Sequence, residues 1–115
     1  MLSADLKMFT GTEQWFRHPL SSNFLYTDGV KFFTEHCGGG ALWFLDILAT
    51  ELADLQETEE FMSIALIVVD KSAKILVDDG NGNILYTREV DYTDAEEGTW
   101  KFFFTNNVLL LPSEY

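Results

Sequence analysis

Arg17, His18 and Asp46 are the residues that come closest to a catalytic set in this sequence. Arg17 and His18 are adjacent, so a permanent cation stands beside an imidazole that titrates near neutral pH. Together with Asp46 they define one hypothesis, a small enzyme or ligand-binding domain. The simpler interpretation, which we favour, is a strand end at Pro19 where both side chains are solvated or satisfied locally.

Glu35, His36 and Cys37 supply three side-chain types that bind metals. Adjacent residues on a helix point about 100° apart, so His36 and Cys37 cannot easily share one ion. Zinc sites use four ligands, usually in spaced pairs. A nucleophilic pair of Cys37 with His18 or His36 has no local signature, and a cysteine on an apolar helix face usually belongs to the core. We predict no metal ion, no cofactor and no catalytic residue.

Residues 78–83, DDGNGN, resemble a calcium-binding loop in composition. An EF-hand counted from Asp78 needs its bidentate glutamate at Glu89. Glu89, however, falls within a segment that alternates like a strand. The run therefore predicts a hairpin turn, for which Asp-Gly and Asn-Gly pairs are a strong signal.

A row of side chains on the second predicted helix is a candidate binding surface. Its members recur at helical spacing opposite the apolar stripe: Trp43, Asp46, Thr50 and Asp54. Such a row either faces a groove and binds a ligand, or is a solvated helix face with a tryptophan at its edge. We favour the solvated face.

Five acidic residues within nine positions form the second candidate surface: Glu89, Asp91, Asp94, Glu96 and Glu97. A run of like charges is usually a solvated loop. Its functional interpretation is an anionic patch that imitates phosphates and occupies a basic groove on a partner.

The net charge limits the classes of partner. Nineteen Asp and Glu residues against seven Lys and Arg give −12 at pH 7. Direct binding to nucleic acid or to an anionic membrane surface is disfavoured, because such binders present basic surfaces. A basic protein surface would be attracted, at a rate that falls as the salt concentration rises. Solubility alone is an alternative explanation of the charge.

The periodicity predicts a single α+β domain over residues 1–115. Thr27 is the expected N-cap of one helix, which the glycines at 38–40 end. A second helix is expected from about Ala41 to Leu55, with an apolar stripe of Leu42, Leu45, Leu48, Leu52 and Leu55. Residues 13–20 are expected to form a strand, and 21–26 a linker. From Phe61 the pattern changes to strands joined by short turns, which predicts a meander-like antiparallel sheet of about four to six strands with both helices on one face.

Four blocks carry a family resemblance: FTGTEQWFRHPL, LYTDGVKFF, WFLDILATE and VLLLPSEY. With these blocks in this order the chain resembles a small bacterial and phage-borne family that is known only as a domain of unknown function. The resemblance spans Phe9 to Tyr115. It implies a stand-alone domain found on mobile elements as well as chromosomes, and it implies no catalytic residues.

The first functional hypothesis is a non-enzymatic acidic interaction protein that binds a basic, nucleic-acid-handling protein surface. On a mobile element this role would suit an inhibitor of host defence, including an anti-CRISPR-like DNA mimic. The second is the enzyme or ligand-binding domain that uses Arg17, His18 and Asp46. A third possibility is a homodimer formed along an edge strand or an aromatic patch. The single cysteine and the absence of a signal-peptide pattern lead us to expect a cytoplasmic protein.

Overall fold

The computed structural model describes residues 2, 6–9, 14–18, 24–52, 55 and 58–115. Within these residues the chain forms two main helices, α1 (Asp28–His36) and α2 (Leu42–Glu51). The strands are β1 (Trp15–Arg17), β2 (Leu25–Thr27), β3 (Phe61–Val69), β4 (Ser72–Asp78), β5 (Ile84–Val90), β6 (Gly98–Thr105) and β7 (Val108–Leu110). A 3-10 turn at Pro112–Glu114 follows β7. No helix in these ranges is both long enough and apolar enough to cross a membrane.

The described strands form one mixed sheet in the order β1-β2-β7-β6-β3-β4-β5. All neighbours are antiparallel except β2 and β7, which are parallel. The α+β class is therefore confirmed, but the described sheet has seven strands rather than about four to six, and its β2–β7 pair is parallel. The strands β1, β2 and β7 have three residues each, too few to show an alternating pattern. Part of the predicted linker at 21–26 belongs to β2.

The sheet has one covered face and one open face. Along β3 the side chains alternate strictly, with Met62, Ile64, Leu66 and Val68 buried. Cross-strand partners share a face, so Phe102 of β6, which is opposite Ile64, lies on the same side. Phe102 is fully buried, and its ring centroid lies 5.0 Å from those of both Phe33 and Phe44. The helices therefore cover this face, while the other face carries the half-exposed and charged residues.

The apolar stripe of α2 is confirmed at Leu45, Leu48 and Leu52, which are fully buried, but not at Leu42, which is 61% exposed. Leu42 is the first residue of the helix. At about 100° per residue it points about 120° away from Leu48 and about 80° away from Leu52. Ala41, which is fully buried, occupies the core position at this end instead.

The start of α1 is fixed by two acceptors, one predicted and one not. Thr27 Oγ1 accepts the Val30 N–H at 3.2 Å, which confirms the predicted N-cap. The second acceptor is the Glu114 carboxylate, 87 residues away from Thr27. It accepts the Thr27 hydroxyl at 2.6 Å, the Leu111 N–H at 3.0 Å and the Gly29 N–H at 3.3 Å. One carboxylate thus ties the C-terminal turn to the first turn of α1, where the helix dipole favours an anion.

Glu114→Gln is expected to lower the free energy of unfolding by about 1–2 kcal/mol, because one amide oxygen cannot accept all three donors. Burial, with the nearby Asp28 carboxylate, raises the pKa of Glu114 above its usual value. The folded protein therefore favours the protonated side chain, whose two oxygens can still accept the three donors, unlike the single amide oxygen of glutamine. The stability that Glu114 contributes is fully present below its unfolded pKa and is lost as the pH rises through its folded pKa. Urea unfolding of both proteins at pH 7 and at about pH 4 should show the larger difference at the lower pH. A difference that shrinks on acidification would contradict this account.

Candidate interaction surface

The acidic residues lie on and beside one connection, the acidic loop, defined here as residues 91–97 between β5 and β6. Hydrogen bonds of its backbone hold the loop to the rest of the protein. The Gly39 N–H donates to the Asp94 carbonyl at 3.0 Å, and the Trp100 indole Nε1–H donates to the Glu96 carbonyl at 3.1 Å. The Thr93 N–H donates to the carbonyl of Lys71 at 2.8 Å. The loop is thus anchored through its backbone, and its carboxylates take no part in these hydrogen bonds.

The glycine run at 38–40 lets the loop approach this closely. Gly38 has a φ of +59°, and a Cβ on it would lie 2.6 Å from the Glu96 nitrogen and 2.9 Å from the Ala95 carbonyl carbon. A Cβ on Gly39 would meet the Asp94 carboxylate. The sequence indicated that these glycines end a helix. The structure adds that two of them, Gly38 and Gly39, form the surface on which the acidic loop packs.

The anchored backbone directs most of the carboxylates outward. Thr93 and Ala95 are buried, and Thr93 Oγ1 accepts the Ala95 N–H at 3.1 Å. The exposed acids are Glu89, Asp91, Asp94 and Glu97, whereas Glu96 is half-buried. Two lysines belong to the same region: Lys74 lies opposite Glu89 in the β4–β5 pair, and the backbone carbonyl of Lys71 accepts the Thr93 N–H. The surface is therefore acidic with a basic margin.

The helical row is divided by the structure. Trp43 is half-buried, with its ring centroid 6.2 Å from that of Phe44, while Asp46 and Thr50 are exposed. The Thr50 hydroxyl donates a hydrogen bond to the backbone carbonyl of Asp46 at 2.8 Å. Asp54 lies outside the described residues. Among the residues described, no hydrogen bond or ion pair joins this row to the acidic loop.

Asp46 has a second partner, His18. The imidazole Nε2 lies 2.8 Å from Asp46 Oδ1, and the two residues are 28 positions apart in the chain. His18 is 3% exposed and meets the ring of Phe24 edge-on, while the Asp46 side chain is 53% exposed. Arg17 is exposed. Successive residues of an extended chain point to opposite sides, so Arg17 is directed away from the His18–Asp46 pair.

A family model described as a family of unknown function, DUF6876, matches residues 1–115. The chain belongs to DUF6876. The resemblance to a domain of unknown function, first found in the sequence blocks, is thereby confirmed over the whole chain. No curated protein and no solved structure gives a match.

Cys37 of this DUF6876 chain lies in the core. It is fully buried, and burial raises the pKa of its thiol to about 11. A thiol is a nucleophile only when it is deprotonated, so this cysteine is suited to packing. Its neighbour His36 is exposed, stacks on Phe32 and uses Nδ1 to contact the carbonyl of that residue at 2.9 Å. Cys37 and His36 therefore point to different environments.

The segment 78–83 of the DUF6876 chain joins β4 to β5, as the predicted hairpin turn requires. Its two aspartates bind the turn itself. Asp78 accepts the Gly80 N–H at 2.7 Å, and Asp79 accepts the Asn81 N–H at 2.9 Å and the Asn83 side-chain amide at 2.8 Å. These hydrogen bonds lower the pKa of Asp79, and the bond from the Asn83 side chain has the largest effect. Both carboxylates are thus engaged as turn acceptors.

Sequence reasoning missed the C-terminal carboxylate in this DUF6876 chain. Glu114 joins Thr27 and Gly29 over more than 80 positions of sequence. No periodicity or motif marks such a contact, because it depends on the way β7 returns beside β2.

Proposed function

We propose that this protein is a non-enzymatic acidic interaction module that binds a basic protein surface, one that handles nucleic acid. Borne on a mobile element, it would act as an inhibitor of host defence, in the manner of an anti-CRISPR-like DNA mimic. The observation that carries the proposal is the acidic loop, whose backbone is anchored at Asp94 and Glu96 while its acidic residues Asp91, Asp94 and Glu97 are exposed.

Anchoring supports the proposal because binding usually costs entropy. When a mobile segment becomes ordered at an interface, the lost conformational entropy weakens binding. A segment that is already fixed in the free protein avoids that entropic cost. The net charge of −12 would add long-range attraction to a basic partner and speed its encounter. A basic groove that binds DNA already favours an array of negative charges, which the carboxylates would supply.

The test uses three neutral replacements in one variant, Glu89→Gln, Asp91→Asn and Glu97→Gln. The matched control removes the same charge elsewhere, with Glu35→Gln, Glu59→Gln and Glu60→Gln. Glu59 and Glu60 precede β3 and line a shallow depression with Asn106 and Asn107. This depression lies at the end of β3 and β6 opposite to the acidic loop. Both variants therefore carry the same net charge but differ in where it is lost.

Each protein is immobilised and challenged with a bacterial lysate at about 50 mM and about 500 mM salt, which changes the screening length several-fold. We expect wild type and control to retain a basic protein at low salt, and the acidic-loop variant to lose at least about tenfold of that capture. Duplex DNA added in solution should release the captured protein. Equal capture by the two variants, or a partner retained equally at both salt concentrations, would refute the proposal.

A second candidate function, a small enzyme or ligand-binding domain, is favoured by one observation, the 2.8 Å contact between His18 and Asp46. Against it, Arg17 is directed away from this pair. Asp46→Asn separates the two functions, because it removes the carboxylate beside His18 and leaves the acidic loop intact. The interaction proposal expects this variant to capture as much protein as the wild type.

A further inference from the structure

A groove of about 470 Å³ lies beside β6, along the edge of that strand that faces away from β3, β4 and β5. We call it the edge groove. Its walls are mostly apolar and come from three parts of the chain: Leu6 near the N-terminus, Trp100 of β6, and Leu111 with Pro112 in the C-terminal turn. Ser113 Oγ donates to the Leu6 carbonyl at 3.4 Å, which joins the C-terminal turn to the N-terminal segment.

One wall of the edge groove is a part of the β6 edge that no described strand pairs with. Among the described strands, β7 pairs with β6 only at Phe103–Thr105 and ends at Leu110, opposite Phe103. Thr105 and Val108 flank the two-residue turn and so form its hydrogen-bonded pair. Backbone groups alternate in direction along an antiparallel strand, so those of Phe103, Lys101 and Thr99 point the same way as those of Thr105. At Lys101 and Thr99 they point into the edge groove, where no described strand meets them.

The charge of the edge groove is opposite to that of the whole protein. Lys7 and Lys101 line it, and both are exposed. They are two of only seven Lys and Arg residues in a chain of net charge −12. This local excess of positive charge makes the edge groove complementary to an acidic ligand.

We propose that the edge groove binds an extended peptide whose side chains alternate between acidic and apolar. The peptide adds a strand to β6, with its backbone paired to Thr99 and Lys101. Side chains of an added strand alternate between the two faces of the sheet. Lys101 is opposite Ala65, on the open face, whereas Trp100 is opposite Leu66, on the covered face. Acidic side chains therefore lie beside Lys101, and apolar ones beside Trp100 and Leu111.

The probe is a blocked hexapeptide of alternating glutamate and valine, titrated into the isotopically labelled protein to about 1 mM. We expect the backbone amides of Thr99 and Lys101 to shift and to exchange more slowly with solvent. In an antiparallel pairing the residues opposite Thr99 and Lys101 are the glutamates, so the same peptide with N-methyl groups on the glutamates lacks the donors that face β6 and should bind at least about tenfold more weakly. A peptide of alternating lysine and valine should not bind.

The protein side of the test is the variant Lys7→Glu with Lys101→Glu, which should weaken the peptide at least about tenfold. Its matched control, Lys71→Glu with Lys74→Glu, changes the net charge equally and should leave the affinity within about twofold. The proposal is overturned if no shift occurs at Gly98–Phe102 at the highest concentration, or if Thr99 and Lys101 exchange as fast as before. Equal weakening in both lysine variants, or shifts confined to β5, would overturn it as well.

Discussion

Replacing Phe102 by alanine is expected to lower the free energy of unfolding by about 3–5 kcal/mol, which is a large fraction of the stability of a domain of this size. Phe102 is fully buried, and its ring meets Phe33 of α1 and Phe44 of α2 at centroid distances of 5.0 Å. The substitution therefore leaves a cavity where both helices meet the sheet. Urea unfolding should show a lower midpoint with an unchanged slope.

Phe103 is the matched control, because it is the next residue of the same strand and points to the open face. It is half-buried, with its ring 5.1 Å from that of Phe61 and 5.2 Å from that of Tyr115. Phe103→Ala is expected to cost about 1–2 kcal/mol, since only part of its apolar surface is removed from water. Equal losses at the two positions would contradict the assignment of the covered face.

The sequence predicted the parts of the fold that depend on local pattern. The change from a helical to a strand pattern at Phe61 is confirmed, because β3 begins at that residue. Thr27 predicted a helix start through the ordinary preference of a hydroxyl for an N-cap. The turn at 78–83 followed from its Asp-Gly and Asn-Gly pairs. In each case the signal lies within one short stretch of the sequence.

The missed parts depend on long-range contacts. The parallel pairing of β2 with β7 joins Leu25 to Val108 over three-residue strands, which carry no periodic signal. The acidic cluster could be recognised because its members are neighbours in sequence. Its packing on Gly38 and Gly39 could not be predicted, because those residues are more than 50 positions away. The His18–Asp46 contact was suggested by residue type alone, and its distance depends on the relative placement of β1 and α2.

Gly38→Ala is the second large effect, with an expected loss of about 2–4 kcal/mol. A residue with a Cβ costs about 1–2 kcal/mol in the left-handed region, and Gly38 lies there with a φ of +59°. The remainder comes from collision, because the new Cβ would lie 2.6 Å from the Glu96 nitrogen and would meet backbone, which cannot rotate away. Gly82→Ala is the control: its φ is +89°, and nothing lies within 4 Å of its Cβ, so it has the conformational cost alone.

Gly38→Ala should also release the acidic loop, and this links stability to the proposed function. If the Cβ displaces Ala95 and Glu96, the hydrogen bond from Trp100 Nε1–H to the Glu96 carbonyl breaks, and the indole proton should exchange faster with solvent. The carboxylates would remain in number but lose their fixed arrangement. Capture of a basic protein at low salt should then fall in Gly38→Ala and persist in Gly82→Ala, although both keep the net charge of −12. Full capture by Gly38→Ala with a fast-exchanging indole would mean that charge alone, without an anchored loop, is sufficient for binding.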